Sequence, residues 1–307
     1  MTTIVVHHDN IPMDKDQLLQ RIAQLEREVK DREGDLARFR DELIKANKRI
    51  EMMIESISHE LKTAHAIQRT LVPTEFPNIP GFDFSTKFLP SSKSGGDYFD
   101  FFEHEDKFRF GIVLSSSSAY GMSALLLSVL LKMTGKLEAR KGADPHLVVQ
   151  QIAQEMMTEM EPDAKTDLFY ALIDRRSFEM RFLRLGNVMA IFQPAGSHEF
   201  QILESSGGAL AKDFKAPKDS KKIMLNPRDR VILFTRGILE ITNAKGETFG
   251  LENVTRALMS GPKRGVHEMR NHLLYEAQQF AQGAEAPRDL TVLILEVKEK
   301  VIKLAKS

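Results

Sequence analysis

The residues best placed to do chemistry lie between Ser94 and Gly121. Gly95-Gly96 delivers Asp97 at the start of an apolar segment, and glycine there allows close backbone approach to a ligand. Further on, Val113-Leu114 runs into Ser115-Ser116-Ser117-Ser118, read as a loop, before an apolar helix opens at Gly121. A hard divalent cation needs several carboxylate oxygens converging on one point, and Asp97 alone supplies too few. The serine hydroxyls are weak ligands and weak nucleophiles without a base. No histidine lies close in sequence to serve as one, and no acid occurs between Lys107 and Lys136. On chemistry alone this is half of a site, in a strand–loop–helix unit of unassigned role.

The elements that position it follow from pattern. In the long segment before it, apolar residues recur at 3.5-residue spacing: Leu18, Ile22, Leu25 and Val29, then Leu36, Phe39, Leu43, Ala46, Ile50, Met53 and Ile57. Only Arg32 interrupts them. A seam this narrow predicts a coiled coil over 14–72, roughly 85–90 Å long, rather than the wider stripe of a surface helix. In a parallel homodimer Arg21 would face Glu26, and Asp35 would face Arg40. Glu28 against Glu33 opposes pairing, so charge alone favours it weakly. Beyond Ile57 the stripe continues on a shifted phase through Leu61, Ala64, Ile67 and Leu71. Pro73, Pro77 and Pro80 then end the helix and set a boundary near 73.

From Gly81 the period changes to that of strands. Segments 82–89, 97–104, 107–114, 168–173, 180–185, 189–193, 200–204, 222–225, 230–235 and 290–297 read as strands. Segments 121–137, 145–160, 251–259 and 266–282 read as helices. Runs of strands separated by helices, without strict alternation, predict an α+β domain of packed antiparallel sheets over 73–300. Residues 1–13 are expected to be a flexible start, with His7 and His8 lacking a third ligand nearby, and 301–307 a tail. The loop from Lys212 to Lys222 is rich in lysine and read as solvated.

Lys+Arg and Asp+Glu each number 43, which argues against a general nucleic-acid or anionic-membrane binder. With no cysteine, disulfides, thiolate metal sites and cysteine nucleophiles are excluded. No stretch reaches the length of a membrane span, and the N-terminus lacks a signal-peptide pattern. A cytoplasmic protein is the expectation.

Read in order, the motifs resemble the SpoIIE-like (RsbU-type) branch of the PPM-type serine/threonine phosphatases. They are Ala66-Ile67-Gln68-x-x-Leu71-Val72-Pro73, Ser94-Gly95-Gly96-Asp97-Tyr98-Phe99-Asp100, Gly121-Met122-Ser123-Ala124-Leu125-Leu126, Phe234-Thr235-Arg236-Gly237-Ile238-Leu239-Glu240, Gly246-Glu247-Thr248-Phe249-Gly250 and Arg288-Asp289-Leu290-Thr291-Val292-Leu293. The resemblance covers roughly 61–297. It implies an α-β-β-α sandwich in which aspartates hold two Mn²⁺ or Mg²⁺ ions that activate a water against phosphoserine or phosphothreonine. Of the metal aspartates it implies, Asp97 is present. Ser116 stands in place of the second, Arg236 of the third, and Arg288, followed by Asp289, of the fourth. Ala119 and Tyr120 replace a glycine and a histidine. A guanidinium repels a cation by about 4 kcal/mol at ~4 Å and an effective dielectric near 20.

The resulting expectations are a degenerate member, a pseudophosphatase with no metal cofactor, in which Arg236 and Arg288 occupy the metal positions and pair with Asp97. If the register is off by one or two, Asp100, Glu240 or Asp289 could substitute as ligands. The resemblance further implies a dimeric regulatory module binding a phosphorylatable anti-sigma antagonist-like domain in a partner-switching pathway. Two other readings stand beside it. One is an active Mn²⁺- or Mg²⁺-dependent phosphatase with rearranged ligands. The other is a coiled-coil assembly protein.

Overall fold

The computed structural model describes residues 14–71, 73, 78–91, 96–118, 127–133, 143–160, 162–197 and 199–298. The expected N-terminal segment 1–13 with His7 and His8, the tail 301–307, Ser94-Gly95, Ala119-Tyr120 and both ends of the 121–137 helix lie outside the described residues.

α1 is a single unbroken helix, Lys15–Leu71, with no interruption at the phase shift after Ile57. The chain forms two compact units, Met1–His59 and Glu60–Ser307, so the last turns of α1 belong with the domain. The ten seam residues from Leu18 to Ile57 other than Ala46 are between 43% and 67% exposed, so none of the described residues covers them.

Among the described residues the domain has ten strands in two antiparallel sheets. One is ordered β1 (Phe82–Leu89), β10 (Leu290–Val297), β9 (Arg230–Phe234), β6 (Met189–Gln193), β7 (Gln201–Ile202). The other is ordered β2 (Asp97–Glu103), β3 (Arg109–Ser117), β4 (Thr166–Asp174), β5 (Glu179–Leu185), β8 (Lys221–Met224). Helical residues 127–133 (α2) and α3 (Pro145–Glu159) supply apolar side chains to the outer face of the second sheet. α4 (Gly250–Ser260) and α5 (Val266–Ala281) do the same for the first.

Three cores follow from this layering of the described residues. Between the sheets, Phe84, Phe101, Phe110, Phe169 and Leu293 interdigitate, and Phe84 meets Phe101 edge to face at 5.0 Å. Tyr98, Val113, Ile152 and Tyr170 fill the layer under α2 and α3. Phe234, Leu258, Leu273 and Val292 fill the layer under α4 and α5. β3 and β4 are therefore covered on both faces, which explains their nearly continuous apolar sequence.

The structure corrects the serine segment. Ser115, Ser116 and Ser117 continue β3 instead of forming a loop, because β4 pairs with all three and β2 with the first two. Serine alone would favour a turn, but two flanking ladders satisfy its backbone. Of the predicted strand 200–204, only Gln201–Ile202 is formed.

The end of α1 is fastened. Leu71 packs against the core under α2, and Lys132 Nζ donates to the Leu71 carbonyl at 2.5 Å. The same ammonium lies 3.8 Å from Asp100 Oδ2. This matches the preference for a cation at a helix C-terminus.

Candidate functional site

Three strands bring three side chains into one row. Asp97 opens β2 and pairs with Ser116 in β3, and Ser116 pairs in turn with Asp167 in β4. Directly opposed residues share a face, so the row Asp97–Ser116–Asp167 lies on one side of the sheet mouth. Sequence reasoning missed Asp167. It sits just ahead of the apolar run 168–173, and only the β3–β4 register reveals its relation to Ser116.

The Asp97 carboxylate is almost fully buried. Its Oδ2 accepts hydrogen bonds from Thr235 Oγ1 at 2.6 Å and Thr291 Oγ1 at 2.7 Å. Both threonines belong to the other sheet, one just after β9 and one in β10, so Asp97 ties the two sheets together at their mouth. The threonines are also linked, Thr291 N donating to Thr235 Oγ1 at 3.1 Å. Burial pushes the Asp97 carboxyl up to about 7, and the neighbouring Asp289 charge adds to this. Hydroxyls of Ser116, Thr235 and Thr291 act in the opposite sense.

Asp289 holds backbone. Its oxygens accept from Ser91 N at 2.8 Å, Gly96 N at 2.9 Å and Asp97 N at 3.3 Å. It thereby fixes both ends of the β1–β2 connection. Gly237 makes this approach possible: a Cβ there would fall 2.0 Å from the Asp289 carbonyl oxygen. That crowding gives a packing reason for glycine after Arg236, in the 3₁₀ turn Arg236–Ile238.

The two arginines correct the expected pairing with Asp97. Arg288 Nε donates to Glu240 Oε2 at 2.8 Å, and Arg236 Nε lies 3.6 Å from Glu240 Oε1. Glu240 sits one turn beyond Arg236, where the 3₁₀ turn directs it back towards both guanidiniums. An acid so close in sequence draws both arginines to itself, bonding Arg288 and leaving Arg236 Nε buried without a hydrogen-bond partner among the described residues, and the hydroxyls serve Asp97 in their place. Asp167 faces the same charges. Burial raises its pKa, while the Asn187 amide and the Arg236 and Arg288 charges lower it. Gly186, at φ +68, is bound to this arrangement, since a Cβ would lie 2.0 Å from Asp167 Oδ1. Asp100 works elsewhere, accepting Tyr98 OH and its neighbour's amide, each at 2.8 Å.

The donor set does not fit a pair of divalent cations. Both threonine hydroxyls direct their protons at Asp97 Oδ2, and three amides occupy Asp289. The guanidiniums of Arg236 and Arg288 lie against Glu240. Among the described residues no group of three or more His, Asp or Glu side chains is placed to hold a metal. What the arrangement offers is cationic hydrogen-bond donors beside a half-exposed glutamate.

Residues 106–298 match the family model described as Stage II sporulation protein E (SpoIIE). This chain belongs to the SpoIIE family. A relative, the phosphoserine phosphatase RsbU of Bacillus subtilis (strain 168), is 21% identical over 248 residues, 80% of this chain and 72% of RsbU. Among solved structures, the SiaA-PP2C domain of Pseudomonas aeruginosa superposes with a TM-score of 0.69 at 19% identity, over 80% of this chain and 99% of that domain. The PP2C phosphatase domain of SpoIIE from Bacillus subtilis, solved with a fragment of its regulatory domain, gives 0.60 at 16% identity, over 72% and 65%. The fold is thus PP2C-like, with two antiparallel sheets flanked by helices behind a long N-terminal helix. No described helix is long and apolar enough to cross a membrane.

Proposed function

We propose that this SpoIIE-family domain is a catalytically silent, metal-independent regulatory module that dimerises through α1. One observation carries the reading. Ser116, Arg236 and Arg288 stand where the family resemblance implies metal aspartates, and Glu240 lies against both arginines from within the chain. The site supplies its own cations, and a divalent cation would have to displace a guanidinium–carboxylate pair to enter. By likeness to RsbU, the partner is a small phosphorylatable domain of the anti-sigma antagonist kind in a partner-switching pathway, bound without dephosphorylation. The exposed apolar seam supports the homodimer. The composition and charge balance support a cytoplasmic protein.

The test is calorimetric titration of the full chain with Mn²⁺, followed by assay on a phosphoserine protein. The expected result is no saturable Mn²⁺ binding and no turnover. The triple variant Ser116→Asp/Arg236→Asp/Arg288→Asp is expected to gain Mn²⁺ binding. Turnover that needs Mn²⁺ and disappears in Asp97→Asn would overturn the proposal. That outcome belongs to a second reading, an active phosphatase with rearranged ligands, which the buried Asp167 beside Ser116 favours.

A further inference from the structure

At the hairpin end of β2 and β3, opposite the Asp97 end, lies a cavity of about 280 Å³. Phe101, Phe102 and Phe110 line it, Phe101 and Phe110 from the core between the sheets and Phe102 from the opposite face of β2. His104 lines it, only 5% exposed, and neither ring nitrogen has a hydrogen-bond partner among the described residues. Leaving two such atoms unsatisfied in a folded interior costs free energy, so a buried imidazole normally has a partner or bound water. Burial and the Arg109 charge bring its pKa down to about 4, so the ring is neutral at pH 7 and offers one donor and one acceptor. Beside it, Tyr170 OH is also buried and unpartnered among the described residues. A Cβ on Gly111 would lie 3.1 Å from that oxygen and 3.4 Å from His104 Nε2.

The charge of the lining has one sign. Lys107, Arg109 and Arg175 contribute, and none of the described lining residues is acidic. Arg109 is committed to Asp174 at 3.2 Å and Asp106 at 3.5 Å. Arg175 donates only to the carbonyls of Pro80 and Lys107, at 3.2 and 3.0 Å, and keeps its positive charge unneutralised. Lys107 has no ion-pair partner among the described residues. An apolar lining at the edge strand β2, a neutral imidazole with both nitrogens open, and two uncompensated cations complement a small apolar body that carries an anionic group.

We propose that this cavity is a binding site for a small aromatic carboxylate, with the ring in the phenylalanine-lined part of the cavity, hydrogen bonds to His104, and the carboxylate at Lys107 and Arg175. The site is independent of the metal question at Asp97.

The test uses the full chain labelled with ¹⁵N-histidine, titrated separately with indole-3-acetate and its neutral isostere indole-3-acetamide. The His104 ring resonances are identified by their loss in His104→Phe. Indole-3-acetate is expected to shift them saturably, and the acetamide to bind at least about tenfold more weakly. Lys107→Glu, at an exposed position that leaves the core intact, should weaken indole-3-acetate by a similar factor. No saturable His104 shift would overturn the proposal and assign the cavity to water. So would equal binding of acid and amide, or an affinity unchanged in Lys107→Glu. The lysine variant keeps the test decisive if His104→Phe does not fold.

Discussion

The two units of this chain break the usual partition of side chains in opposite directions. Residues 15–57 of α1 hold a line of leucine, isoleucine, valine, phenylalanine and methionine in water, while the domain holds Asp97, Asp167, Arg230 and Asp289 out of it. The domain resolves its exception internally. Asp97 receives hydroxyls, Asp289 receives amides, and the buried Arg230 is paired with Glu296 across adjacent strands. The helix has no such internal answer among the described residues, because every seam residue remains exposed along its length. A buried charge with partners is a finished structure. An exposed apolar seam of this length is the kind of surface a partner helix covers, and the proposed homodimer would cover it with a second copy, against the Glu28–Glu33 repulsion.

That contrast can be broken or sharpened at four points, the largest effect coming from the helix. Leu25→Glu combined with Ile50→Glu should halve the particle mass seen by light scattering at tens of micromolar protein, leaving the domain folded. A wild-type monomer under the same conditions would remove the helix from the comparison. Within the domain, Gly237→Ala drives a methyl group into the Asp289 carbonyl and should cost roughly 3 kcal/mol in urea unfolding. Tolerance of that alanine would mean that the backbone at Asp289 yields freely to a side chain at position 237. Thr235→Val removes a hydroxyl that both donates to Asp97 and accepts from Thr291, with an expected loss of about 2 kcal/mol.

The smallest effect is a pH dependence. The folded pKa of Asp97 is raised, so between about pH 4 and about pH 7 the folded state keeps a proton that the unfolded chain has released. This group's favourable contribution is fully present below the unfolded value and is lost as pH rises through about 7. The stability of wild type relative to Asp97→Asn should therefore grow by a few degrees in melting temperature from about pH 8 down to about pH 5. A difference that shrinks instead would mean that Asp97 is held as a carboxylate throughout.

Periodicity made much of the fold legible. The strands and helices from 145 onward fall close to their predicted limits, because period-2 and period-3.6 patterns survive where one face is buried. β3 was harder to delimit, since serine carries no apolar signal and its place in the strand depends on partners far away in sequence. The site was half legible for the same reason. Asp97, Ser116, Arg236, Arg288 and Asp289 come from local motifs, and the structure places all five at the sheet mouth. Which of them bond to each other is a matter of register and reach. Glu240, four residues from Arg236, captured both arginines, and Asp97 turned to threonine hydroxyls across the gap between sheets. Asp167 enters only through the β3–β4 pairing, which no short motif encodes, and the bonds of Thr235 and Thr291 to Asp97 come from side chains reaching between the sheets.

The position of β10 bears on how the molecule is made. It is the last strand of the domain, yet it lies between β1 and β9, so the first sheet stays incomplete until residue 297 has been synthesised. α1 is finished roughly 220 residues earlier. At about 5–20 residues per second, some ten to forty seconds separate the two events on the ribosome. During that interval an exposed heptad seam precedes a domain that cannot yet close, so neighbouring nascent chains on one message can meet through their helices first. If α1 pairs with a second copy as proposed, subunit choice would precede domain folding and favour partners from the same transcript.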